Sequence, residues 1–475
     1  MSKKCDRKEF LKMSLLANVA LCVNPFSGNK KIDGLLNLLS DENVIYYQKG
    51  DKEYDVLRKG FNKRIEKHPA IIALCKNTEG IVEAIKYAKN KNLPVAIKSG
   101  GHCMEGFSCN DDGMVINLSL LNNIEWINEE IIKVEPACTL SALYDFTLEK
   151  NKIIPGGSCG SVGIGGLTLG GGYGLLSRQF GLTCDSLIEV TMVDGNGIIR
   201  NSKDEKNLLW ACKGGGNGNF GVVSEMKFKA HQSPASMQSF RFRAFKVNVE
   251  RTKSILERWF EVTKDFPDSC FSAFVLNETT IYILVTTTEK ITPKVQKLFN
   301  KISSLTDKKT NTIFHPLNEA LKIFYGVQHP VKFKNACAGL YKSYDDIKNG
   351  IDKILETVIS GSNTILQINT LGGQIQNSEA ETNSSFAHRA YSYVSELQTY
   401  WDTEKEGKQQ MLKFQTIQQM FSEVGIDAQY CNYPDINFQN YSSLYYGNNY
   451  KMLQQIKNKY DPDNLIRYEQ SIKNI

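Results

Sequence analysis

Between Pro155 and Asp185 runs PGGSCGSVGIGGLTLGGGYGLLSRQFGLTCD, and more than half of residues 155–174 are glycine, serine or threonine. A stretch so poor in large apolar side chains cannot build a core by itself. Glycine instead permits positive φ and close approach of backbone to a ligand, at a cost in chain entropy. Successive main-chain N–H groups in such a loop form concavities suited to phosphate or another electron-rich group. The chain is therefore expected to wrap a large, anionic, planar ligand here. Cys159, at the front edge of the stretch, can touch it.

Two shorter motifs match by letters and fail on context. Gly156, Ser158 and Gly160 spell the G-x-S-x-G of serine hydrolases, with Ser158 as nucleophile. That motif needs a helix directly behind the serine, and VGIGGLTLGGG is too rich in glycine to start one. Gly216, Gly218 and Gly221 fit the dinucleotide pattern G-x-G-x-x-G. The pattern has to open a helix and meet an acidic residue about twenty positions later. Here VVSEMKFKA follows, alternating like a strand, and QSFRFRAF fills the acidic slot.

Length and composition bound the rest. A chain of 475 residues should hold two domains with ample core. The net charge of +6 is spread thinly and no basic run interleaves with aromatics, which argues against a nucleic-acid partner. Twelve cysteines are scattered without disulfide-scaffold spacing. His102, Cys103 and Cys109 lack a fourth ligand at a familiar zinc spacing, so no metal is expected. No apolar run is long enough to span a bilayer. Residues 1–30 read either as an export signal or as an N-terminal extension. Arg7-Lys8-Glu9-Phe10-Leu11-Lys12 resembles the twin-arginine signal with lysine in place of its second arginine, which predicts a periplasmic or secreted protein, the alternative being cytoplasmic.

Along the chain, apolar Val56, Leu57, Phe61 and Ile65 predict a helix over 50–68. A strand (70–75), an amphipathic helix (78–92) and a second strand ending in SGGH form a strand–helix–strand unit with its glycine turn at the carboxyl edge, where ligands of α/β sheets bind. GMVINLSLLNNIEWINEEIIKVEPACTL predicts two or three antiparallel strands, and LIEVTMVDGNGIIRNS a hairpin turning at Asp194–Gly197. Near Ser233-Pro234 the glycine clusters end. Strand-like and helical runs then alternate to about Gln429, predicting a large antiparallel sheet backed by helices.

Four segments now stand in order: IKSGGHCMEGFS, the glycine-rich Cys159 stretch, LWACKGGGNGNFGVVSEMKF, and YCNYPDI…YDPDNLIRYEQSI. Together they resemble the berberine-bridge-enzyme-like branch of the FAD-linked oxidases, from about residue 50 to the end. The resemblance implies an α+β fold: a two-subdomain FAD-binding domain plus a substrate domain whose antiparallel sheet is backed by helices. Its expected boundaries are 45–232 for FAD, 233–428 for substrate, and 429–475 for a C-terminal segment completing the FAD domain. It implies covalent FAD, His102 bonding the flavin C8 methyl and Cys159 its C6. Lys98, Ser99, Gly100, Gly101, Cys103 and Ser108 would surround the first attachment point. Gly160, Ser161, Gly163, Ile164, Gly165, Gly166, Gly170 and Gly172 would surround the second, with Val223 at the adenine. Ile164 would also tune oxygen access.

A base near the flavin is needed to take a proton from substrate. The resemblance points to Tyr433, with Tyr430 nearby. Gln367 and Asn369 share one face of a strand where some relatives carry a carboxylate, and its absence there leaves Tyr433 as the base. The implied activity is an oxidase that takes a hydride from a sugar, alcohol or other activated C–H to FAD and then to dioxygen, giving hydrogen peroxide. A dehydrogenase using another acceptor is the alternative. The partners are a small-molecule substrate and dioxygen.

Overall fold

A computed structural model describes residues 42–475, so the export signal expected over 1–30 lies outside the described residues. The first sheet has the order Val44–Tyr47, Ile71–Cys75, Met114–Asn117, Val95–Lys98. Ile71–Cys75 and Val95–Lys98 both run parallel to Met114–Asn117, which sits between them. The strand–helix–strand unit is thus present, with a third strand inserted at its centre. Its helix, Thr78–Asn90, is capped by the Asn77 side chain, which accepts from the Gly80 N–H at 2.8 Å. Ile81, Ala84, Ile85 and Ala88 recur at helical spacing and are buried against the sheet.

The helix predicted over 50–68 is cut to Tyr54–Arg58. Lys59 turns extended before Gly60, and Val56 is 77% exposed. Phe61 is free of the helix and stacks on the His102 ring, with centroids 4.2 Å apart. Its helical spacing with Leu57 was coincidental, because its packing partner lies across the fold.

The second sheet is antiparallel throughout, in the order Ile124–Trp126, Ile131–Val134, Gly221–Lys229, Leu187–Asp194, Ile199–Asn201. The hairpin through Asp194–Gly197 is present, with Gly197 at φ +74° as its turn demands. Met114–Asn117, expected to be antiparallel, pairs in parallel in the first sheet. The C-terminal tail also joins that sheet's edge: the Val95 N–H donates to the Leu465 carbonyl at 2.9 Å, and Arg467 returns a bond to Val95 at 3.1 Å. Buried Lys457 fastens the tail, donating to the carbonyls of Asn219 and Ile466 and to Asp461.

Beyond residue 235 a third sheet forms, entirely antiparallel, with eight strands. Its main path is Lys308–Asn311, Ser236–Ala244, Thr280–Thr287, Cys270–Asn277, Ile365–Thr370, Tyr393–Tyr400, Phe333–Tyr341. Helices Val249–Thr263, Pro293–Ser303 and Ile351–Ile359 cover one face, as their apolar periodicity predicts. A fourth helix, Glu404–Glu423, is not apparent from its largely polar sequence; only Phe414, Ile417 and Phe421 mark its buried apolar side. Strand alternation sends Phe240, Phe242, Leu366, Ile368 and Leu397 into this helix-backed core. Residues between them point the other way, toward the glycine-rich loops. No described helix is long and apolar enough to cross a membrane.

Candidate functional site

A cavity of about 560 Å³ separates the glycine-rich loops from the uncovered face of the large sheet. Its first wall is mostly backbone. Ser99, Gly100, Gly101, His102, Cys103 and Ser108 line it from the turn after Val95–Lys98. Cys159, Gly163, Gly165 and Gly166 line it from the second loop, and Val223 from the strand Gly221–Lys229. The two loops touch: a Cβ on Gly100 would lie 2.5 Å from the Gly163 nitrogen, so only glycine fits. A Cβ on Gly166, by contrast, would meet nothing within 4 Å and would project into open space. Such a cradle fits a broad ligand held by main-chain groups.

His102 and Cys159 face this space with a shared neighbour. The His102 ring bonds to the Ser161 backbone, while the Ser161 hydroxyl lies 3.6 Å from the Cys159 sulfur. Burial lowers His102 to about 4, so the imidazole is neutral at pH 7. Burial also raises the Cys159 thiol.

Several expected cofactor residues stand elsewhere. Lys98 does not line the cavity; its ammonium donates to the carbonyls of Leu57 and Lys59 at 2.6 and 2.5 Å, and burial lowers it to about 8. It stitches backbone rather than meeting ligand. Ile164 is fully buried in the core beneath the loop and offers no side chain to the cavity. Gly160, Ser161, Gly170 and Gly172 also lie behind the lining. A Cβ on Gly160 would strike the Tyr325 ring at 2.6 Å, and Gly172, at φ +83°, packs on Thr183. Contrary to the expectation that VGIGGLTLGGG could not start a helix, Ile164–Leu169 is helical, but the helix begins well beyond Ser158, which sits in a loop and not at a nucleophile elbow.

The second wall is made of side chains from the large sheet. Gln367 and Asn369 line it, as their shared strand face requires, joined by Asn335, Glu396, Gln398 and Tyr400. The register sets Gln367 opposite Glu396 on neighbouring strands. Asn335 donates to the Glu396 carboxylate at 2.8 Å and Asn369 at 3.4 Å. Asn369 also donates to the Tyr173 hydroxyl at 3.1 Å, and Gln367 to Asn369 at 3.0 Å. Burial raises Glu396 to about 7, opposed in part by the bonds from Asn335 and Asn369. A carboxylate is present after all, one strand away from where the sequence suggests looking. Its signal was an acid at the centre of an aromatic strand, sharing a face with Gln398 and Tyr400.

The surroundings of the two tyrosines weigh against the expected phenolate. Tyr433 lines the cavity, but burial, and then the neighbouring Glu396, push it well above its ordinary value. Its hydroxyl bonds to Tyr173. Tyr430 has its hydroxyl engaged: it accepts from the Gly172 N–H at 2.9 Å and from Asn432 at 3.0 Å. Neither is poised as a phenolate. Lys334, a buried cation near the YCNY segment, is consumed by Glu105 and Asp435, and Arg64 adds a second bond to Glu105 at 2.7 Å. That cluster ties the strand of Asn335, the loop after His102 and the loop after Tyr433 together.

Residues 69–203 match the family described as FAD binding domain, and residues 429–473 the family described as berberine and berberine like. The FAD-linked oxidoreductase YgaK of Bacillus subtilis is 31% identical over 439 residues, covering 89% of this chain and 95% of that protein. Berberine bridge enzyme-like 12 of Arabidopsis thaliana is 27% identical over 463 residues, covering 87% and 86%. Among solved structures, a chitooligosaccharide oxidase superposes with a TM-score of 0.83 at 22% identity, over 91% of this chain and 97% of that one. The cradle of two glycine loops agrees with these matches, and the chain belongs to the berberine-bridge-enzyme-like FAD-linked oxidoreductases.

Proposed function

We propose that the protein oxidises a hydroxyl-bearing carbon, with Glu396 as the general base. The observation that carries this is the setting of Glu396: a buried carboxylate at about 7, inside the cavity, bonded by two amides. A base is most effective with its pKa near the working pH. Glu396 takes the proton of the substrate hydroxyl. Gln367, Gln398 and Asn369 offer the donors and acceptors that orient a polyhydroxylated molecule, and Tyr433 and Tyr173 present hydroxyls beside it. Bound FAD supplies the acceptor for the substrate's hydride, with dioxygen as the final electron acceptor and hydrogen peroxide as product. His102, a neutral nucleophile, and Cys159 would hold that FAD by two covalent bonds, and the glycine loops would hold it by backbone N–H groups.

The purified protein should be yellow, and a panel of sugars and alcohols should bleach it anaerobically. Admission of air should restore the colour with one hydrogen peroxide per turnover. A protein bleached by a substrate but re-oxidised only by a quinone would be a dehydrogenase. One bleached by none of the panel would remove the alcohol reading.

A further inference from the structure

The cavity has a second charged end that the reaction above does not use. Among the described side chains that line it, Glu396 and Arg241 are the two that carry an acidic or strongly basic group, and no ion pair joins them. Arg241 lies on Ser236–Ala244, where Phe240, Phe242 and Ala244 enter the helix-backed core. Alternation therefore points Arg241 and Arg243 at the cavity side. The guanidinium of Arg241 has no carboxylate partner among the described residues, and Arg243 has none either, with its Nε buried and unbonded. Arg243 sits over the ring of Tyr282, a lining residue, at 5.7 Å. Directly opposite Arg243 on the edge strand is Lys308, again without an acidic partner. Three cations thus share one side of the sheet edge without a carboxylate partner among the described residues, Arg241 and Arg243 half-buried and Lys308 exposed, and burial lowers Arg241, with Arg243 adding to the effect.

Of the three, Arg241 lines the cavity, and a partly buried cation without a counter-charge is costly unless something anionic comes to it. The bound cofactor's phosphates are one source, but the backbone N–H groups suited to them lie on the opposite, glycine-built wall. The register counts the strands between the two charged ends: Arg241 opposes Leu284, Leu284 opposes Ala273, and Ala273 opposes Asn369. Three strand spacings put Arg241 roughly 14 Å of sheet away from Asn369, which bonds Glu396.

We propose that Arg241, supported by Arg243 and Lys308, is a subsite for an oxyanion on the substrate, remote from the carbon oxidised beside Glu396. The substrate class is then an elongated hydroxylated molecule with a carboxylate or phosphate at its far end. This rests on the proposed alcohol oxidation for the position of the reacting carbon, but anion binding itself does not depend on turnover.

The test uses holoenzyme and three probes: a neutral disaccharide, the same disaccharide ending in a uronic acid, and its terminal 6-phosphate. Anaerobic flavin reduction gives kcat/KM, and titration of the oxidised flavin spectrum gives binding without chemistry. Wild type should favour an acidic probe. Arg241→Gln should cut the acid-to-neutral ratio by roughly tenfold to a hundredfold, the worth of charge-assisted hydrogen bonds. Arg241→Lys should restore part of it, and added salt should weaken it in wild type. The uronic acid and phosphate arms tell which oxyanion is preferred. If no probe reduces the flavin yet the acids still perturb its spectrum in wild type and not in Arg241→Gln, the alcohol reading fails and the subsite stands. Equal treatment of neutral and acidic probes by wild type would overturn the subsite. So would an Arg241→Gln protein that is made and purified without flavin, since the cation would then serve the cofactor.

Discussion

The two walls of the cavity are built on opposite principles. The glycine wall recognises through backbone: Gly100 against Gly163 leaves no room for a side chain, and Gly166 leaves space where a side chain would project. The sheet wall recognises through side chains brought together by register, with Glu396, Gln367, Asn369 and Asn335 on three neighbouring strands. The first can hold a constant cofactor in one geometry. The second can be altered one residue at a time without moving the backbone, and is the wall that the proposed reaction assigns to substrate. The difference can be tested by damaging each wall separately.

The largest effect expected is on the glycine wall. Acid-precipitated protein should stay yellow in wild type, in His102→Ala and in Cys159→Ala, and lose its flavin entirely in the double variant. Free FAD released from denatured wild type would end the bicovalent proposal. On the sheet wall, Glu396→Gln should keep the flavin attached and slow its reduction roughly 10²–10⁴-fold, the range for a lost acid–base group. Since the base works deprotonated, kcat/KM in wild type should rise with pH through about 7, the value to which burial raises Glu396. In Glu396→Gln that limb should flatten; an unchanged limb would place the base elsewhere.

Next in size is the joint between the walls. Lys334→Met leaves Glu105 and Asp435 buried without their shared cation and should cost about 3–5 kcal/mol in denaturant unfolding. A loss confined to activity, with stability intact, would contradict that role. Gly100→Ala forces a Cβ into the Gly163 backbone and should cost about 1–3 kcal/mol, read as a lower Tm together with reduced flavin content. The smallest effect is Tyr433→Phe. Its hydroxyl bonds to Tyr173, and with Glu396 as the base proposed above, stopped-flow reduction should slow by no more than roughly tenfold.

Local signals in the chain determined the glycine wall, the hairpin through Asp194–Gly197 and the class of ligand, because each is encoded in contiguous residues. A run such as VGIGG brings backbone close to whatever lies beside it, and SGGH at the end of a strand places His102 at a sheet's carboxyl edge. The family resemblance rests on the same short motifs. Only the tertiary structure singles out Glu396 for the base proposed above. Glu396 differs from any other acid only once strands from 333–341 and 365–370 flank it, remove its water and give it amide partners. The same burial that tunes the carboxyl disfavours a Tyr433 phenolate, which would lie beside a second negative group. The fate of Phe61 and Lys98 was likewise decided across the fold, by the ring of His102 and by two loop carbonyls. Backbone conformation is written locally, whereas desolvation and cross-strand partnership exist only after distant segments have met.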